Sequence, residues 1–86
     1  MSKKDKLLGQ MQNNPQDWRI ENLITLAEAF EIEIRNDGGS HHVFSYPGIA
    51  NNLCIPARKP IKPIYIKHFL AFIQAVQEIK DAYKNH

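Results

Sequence analysis

The sequence predicts an α+β two-layer sandwich in the order α-β-β-β-α: a three-stranded antiparallel sheet with helices on one face, plus a short N-terminal extension. Three observations carry this expectation. An apolar stripe of helical period (Ile20, Leu23, Ile24, Ala27, Phe30) runs into charged/apolar alternation at Glu31-Ile32-Glu33-Ile34-Arg35. Two further strand-like runs follow, separated by Gly and Pro. A second helical stripe, Tyr65, Phe69, Phe72, Val76, Ile79 and Tyr83, closes the chain in alternating steps of four and three.

The elements follow in order. Residues 1–14 read as a charged extension, a short helix or a frayed segment, in which Leu7, Leu8 and Met11 stand at helical spacing. Residues 15–86 read as a single domain, because 86 residues suffice for one modest core. Asn14-Pro15 is a helix-start signal, Asn as cap and Pro in the first turn, and the helix is expected to end near Phe30. Glu31–Arg35 is the first strand, and Asn36-Asp37-Gly38-Gly39 turns the chain into a second, from about His41 to Tyr46. Pro47-Gly48 begins the next turn, and Leu53-Cys54-Ile55, closed by Pro56, is the third strand of a meander. Three prolines between Pro56 and Pro63 exclude regular structure there and make a stiff loop that displays Arg58, Lys59 and Lys62.

Charge is distributed unevenly. From Gly38 to Gln77, forty residues, there is no Asp or Glu, and that stretch contributes +4 through Arg58, Lys59, Lys62 and Lys67. The rest of the chain carries seven Lys/Arg against nine Asp/Glu, so the net +2 conceals a local basic surface. Such a surface suits a phosphate-bearing partner, most simply RNA or DNA. A membrane partner is not expected: the last helix carries Gln, Glu, Asp and Lys on its polar side and lacks a cationic bias. The single cysteine, Cys54, excludes an intramolecular disulfide, and with no signal peptide or long apolar run the expected location is cytoplasmic.

Within the acid-free stretch, Gly38-Gly39-Ser40-His41-His42 opens directly into Val43-Phe44-Ser45-Tyr46. This places imidazoles where a flexible turn becomes a strand that fixes side-chain direction. Alternation puts His42, Phe44 and Tyr46 on one face and His41, Val43 and Ser45 on the other. With Phe44 in the core, His42 is drawn inward and His41 faces outward, so His41 is the first choice for catalysis and His42 the second. RNA supplies its own nucleophile in the 2′-OH, so an enzyme need only move protons and hold charge. An imidazole of pKa about 6.5 does the first, and Arg58, Lys59, Lys62 and Lys67 do the second.

The predicted order of elements is that of double-stranded-RNA-binding domains. The sequence also resembles the HicA-type toxins, through Gly-Gly-Ser-His before a strand, a short strand ending in Ile55-Pro56, a basic Pro-rich loop and a terminal helix. The likeness covers roughly Trp18 to Lys80. It implies a metal-independent endoribonuclease that cleaves mRNA, the toxin of a toxin–antitoxin pair neutralised by a HicB-type antitoxin. It also implies that His41 is catalytic and that Gly39 and Ser40 shape the site around the RNA. Two departures stand out. Arg58 occupies the loop position where the family often carries a second His, and the segment before Trp18 exceeds what compact members need.

Two other classes compete. A non-catalytic RNA-binding module needs only the basic loop, and a protein–protein adaptor would use the open sheet face and bind no nucleic acid. No metal or small-molecule cofactor is expected, since His41, His42, Cys54 and His68 match no closed zinc spacing. Cys54 reads as a small strand residue, Ser40 as a turn cap, and Trp18 and Tyr65 as packing residues that also have the shape to stack on bases.

Overall fold

The elements run α1 (Lys3–Asn13), α2 (Ile20–Ala29), β1 (Glu33–Asn36), β2 (His41–Ser45), β3 (Leu53–Pro56) and α3 (Pro63–Lys84) in the computed structural model, which describes residues 3–84. The outermost residues of the extension and of the single domain expected from sequence, 1–2 and 85–86, lie outside the described residues. The class is α+β, with three helices and a three-stranded antiparallel sheet in strand order β1-β2-β3.

The extension is helical and contributes to the core. Met11 is fully buried and Leu8 nearly so, in the same cluster as Phe30, Phe44 and Phe69. On α1's first turn, the Lys4 ammonium stands 4.8 Å from the centre of the Phe30 ring, a cation–π contact between helix and core.

The helix-start signal at Asn14-Pro15 does not begin α2, which starts at Ile20. Asp17 has φ 65°, a left-handed conformation incompatible with a right-handed helix, so residues 14–19 form an irregular link. Asn14 still caps, but a turn: its side-chain oxygen accepts the Gln16 N–H at 3.2 Å. At the true start, the Asn22 side chain reaches back to accept the Arg19 N–H at 3.0 Å, half of a capping box.

The far end of α2 corrects the first strand. Glu31 has φ 61° and donates to the Glu28 carbonyl, while the Ile32 N–H donates to Ala27 at 2.9 Å. This is a Schellman stop with Glu where Gly is usual, and the buried Ile32 packs back on the helix end. Glu31 and Ile32 are consumed by the cap, and β1 begins at Glu33.

Register sets the faces. Asn36, His42 and Ile55 align across the three strands, as do Ile34, Phe44 and Leu53, and this face carries the fully buried Phe44 and Ile55. The alternate set lies on the other face, with Glu33, Arg35, His41 and Cys54 exposed and Val43, Ser45 and Pro56 half-buried. Phe44 meets Phe69 of α3 edge-to-face, centroids 5.5 Å apart, which pins α3 to the inner face. β3 is an edge strand and so tolerates Pro56, which has no N–H to offer.

Pro63 begins α3, where its missing N–H costs nothing. Phe69, Phe72 and Val76 of the stripe expected from sequence are buried, Ile66 and Ile73 beside them are buried as well, and Tyr83, at the end of that stripe, is 78% exposed. Twenty-two helical residues span about 33 Å, about twice the length of a four- or five-residue strand, so one end of α3 outruns the sheet. Beside the helix, Gly48 (φ 97°) permits a close approach: a Cβ there would stand 3.1 Å from Ile79.

Candidate functional site

The turn between β1 and β2 is built by short polar side chains. Asn36 Oδ1 accepts the Gly38 N–H at 2.7 Å, Asp37 Oδ1 accepts the Gly39 N–H at 3.0 Å, and Gly38 takes φ 90°, which only glycine adopts freely. Beyond it the sheet ladder fixes the chain again. His41 pairs with Pro56, and the Ala57 N–H donates to the Ser40 carbonyl at 2.6 Å, so the start of β2 is tied to the entry of the basic loop.

That tie brings together residues far apart in sequence. Ser40, His41, Pro56, Arg58, Lys62 and Tyr65 line one cavity of about 220 Å³. Lys62 stands at the threshold of α3, its carbonyl accepting the N–H groups of Tyr65 and Ile66, which sets Tyr65 in the helix's first turn. One imidazole, one guanidinium and one ammonium thus share a space that no carboxylate lines. Chemically the arrangement can transfer a proton through His41 and hold an anion between Arg58 and Lys62. It is not a Ser-His-Asp arrangement, since no acid lines it to orient the imidazole.

His42 lies on the other face. Its Nε2 is 3.2 Å from Asn36 Nδ2. Because Asn36 Oδ1 already accepts from Gly38, its amide nitrogen is the donor here, so His42 Nε2 accepts and Nδ1 carries the proton. That Nδ1 is buried without a hydrogen-bond partner among the described residues. His42 therefore completes the inner face of the sheet and takes no part in the cavity.

The remaining residues expected at the site divide. Lys59 lines a neighbouring groove, Lys67 is exposed on α3 outside the cavity, and Gly39 is exposed in the turn without lining it. Cys54 is exposed on the outer face opposite Val43, and among the described residues no three His, Cys, Asp or Glu side chains converge as metal ligands would.

Compared with known proteins, the chain matches no family model, no curated protein and no solved structure.

The geometry also supplies residues that sequence reasoning missed. The neighbouring groove, about 440 Å³, is walled by Arg58, Lys59, Pro60 and Lys62 on one side and by Gln16 and Asp17 on the other. Trp18 and Ile61 form an antiparallel bridge, with the Ile61 N–H donating to the Trp18 carbonyl at 2.8 Å, and this bridge holds the two walls together. No local sequence signal announces a pairing across more than forty residues. The only hint was Asn14-Pro15, which marks a turn as readily as a helix start.

Proposed function

We propose that this protein is a metal-independent endoribonuclease that cleaves mRNA, the toxin of a HicA-type toxin–antitoxin pair. The reading includes a scaffold like the double-stranded-RNA-binding domain, a cytoplasmic location and a HicB-type antitoxin as protein partner. One observation carries it: His41, Arg58 and Lys62 line a single cavity without a carboxylate. In the proposed reaction His41 removes the proton from a ribose 2′-OH, and the oxygen attacks the adjacent phosphorus as the bond to the 5′-oxygen breaks. A 2′,3′-cyclic phosphate and a 5′-hydroxyl result, the leaving oxygen taking a proton from solvent or from the imidazolium. Arg58 grips the phosphate bidentately and Lys62 adds a point charge, countering the negative charge that grows in the transition state. A histidine that moves one proton is worth about 10²–10⁴-fold in rate, enough for a slow toxin.

The test is induced expression of the wild type and of His41→Ala in a bacterial host, following growth and the integrity of total mRNA. The expected result is growth arrest with fragmented mRNA for the wild type, and neither for a folded His41→Ala. If both proteins bind RNA and leave it intact, the chain is a non-catalytic RNA-binding module. If both fragment mRNA equally, His41 is not the catalytic group.

A further inference from the structure

We infer that the groove on the far side of the basic loop is a second nucleotide subsite, in which Asp17 reads a guanine next to the phosphate that is cut. This rests on RNA being the ligand, as proposed above, and adds the base preference that reading leaves open.

The two cavities share a wall. Arg58 and Lys62 line both the His41 cavity and the groove, so a strand whose phosphate sits between them continues naturally from one into the other. The groove offers what one nucleotide requires. Lys59 joins the shared cations for the backbone, the ring of Pro60 is a flat apolar wall for a base face, and Gln16 and Asp17 face them with hydrogen-bonding groups.

Among the described residues, Asp17 is the only acid lining either space. It has an exposed carboxylate and makes no ion pair among the described residues, although three cations line the same groove. A carboxylate there opposes phosphate and so sets the direction of a bound nucleotide, phosphate toward Arg58 and Lys62, base toward Asp17. Two carboxylate oxygens are acceptors only, and they match a base edge with two parallel donors. Guanine, with N1–H and the N2 amino group on its Watson–Crick edge, is the base that presents them. The position is held firmly: Asp17 sits at φ 65° between the turn capped by Asn14 and the bridge from Trp18 to Ile61. Asp and Asn tolerate that conformation better than other residues with a side chain.

The experiment uses 2′-O-methyl oligonucleotides, which cannot be cut by the internal nucleophile. Uridine tracts carrying one central guanine, inosine or adenine are titrated calorimetrically into the full chain and into Asp17→Asn, an isosteric change that suits the same backbone. The expected result is a preference of about tenfold for guanine over adenine in the wild type, with inosine between, as for a bidentate base contact. In Asp17→Asn the ratio collapses toward one. The ratio is the readout, because removing a negative charge raises affinity for every tract alike. A guanine preference that survives in Asp17→Asn, or none in the wild type, overturns the subsite while leaving the ribonuclease reading intact. If the wild type binds no tract at all, the RNA reading falls, and the subsite with it.

Discussion

His41 and His42 are adjacent, chemically identical and placed in opposite worlds. His41 is exposed, tied through Ser40 and Pro56 to the mouth of the basic loop, and shares a cavity with two cations. His42 is half-buried on the face of Phe44 and Ile55, its ring Nε2 accepting from the Asn36 amide and its Nδ1 buried without a partner among the described residues. One step along a strand reverses the side-chain direction, and the core lies against only one face; those two facts separate the imidazole proposed to react from one that completes the inner face. The comparison teaches that, in so small a domain, register assigns function: a slip of one residue would exchange the two roles.

The largest expected effect tests the outer member. His41→Ala should lower the proposed mRNA cleavage by about 10²–10⁴-fold while leaving the thermal unfolding midpoint unmoved, because the side chain is exposed and outside the core. A fall in stability of the same size as the fall in rate would erase the distinction. On the inner face, Phe44→Ala should cost about 3–5 kcal/mol by denaturant unfolding, since it removes a fully buried ring and its contact with Phe69. Val43→Ala, one residue away and facing outward, should cost less than about 1 kcal/mol. His42→Leu sharpens the contrast further. Replacing an imidazole whose Nδ1–H is orphaned should leave stability unchanged or raise it by about 1 kcal/mol, and cleavage should persist.

The smallest effect comes from outside β2 and sets the scale for an exposed contact. The Lys80 ammonium donates to Glu31 at 2.9 Å and, by that hydrogen bond first and by its charge second, holds the Glu31 carboxyl below its ordinary value of 4.5. A folded-state value lowered in this way contributes stability above the unfolded value, and that contribution is lost as pH falls through the folded one. Lys80→Met should therefore lower the unfolding midpoint slightly at neutral pH and not at all once Glu31 is protonated, measured across a series of acidic buffers.

Much of the fold was legible because local rules and tertiary packing agree. Glycine-rich and proline-containing turns bracket the strand that opens at His41, and the helix after Pro63 repeats its apolar residues every three or four positions. What sequence concealed depends on two left-handed residues that are not glycine. Asp17 broke the helix expected from Asn14-Pro15, and Glu31 ended α2 inside what looked like a strand. Glu gives no signal of a positive φ, and Asp, which tolerates one better than most, serves more often in other conformations. The cavity was half legible. His41, Ser40, Arg58 and Lys62 were expected at the site and meet there, because strand pairing joins Ser40 to Ala57. Lys59 and Lys67 share their charge but line other surfaces, since a run of cations says nothing about which way each side chain leaves the backbone.

The Trp18–Ile61 bridge has one more consequence. Trp18 is the chain's single tryptophan, half-buried, its indole N–H given to the Asn14 carbonyl, and it sits where the irregular link meets the basic loop. The protein thus carries its own optical reporter beside the groove, next in sequence to Asp17 and bridged to Ile61, both of which line it. Ultraviolet-excited emission from this indole gives a label-free signal in which filling of the groove and loss of the fold have separate signatures, the first a change in intensity and the second a shift to the red as the ring meets water.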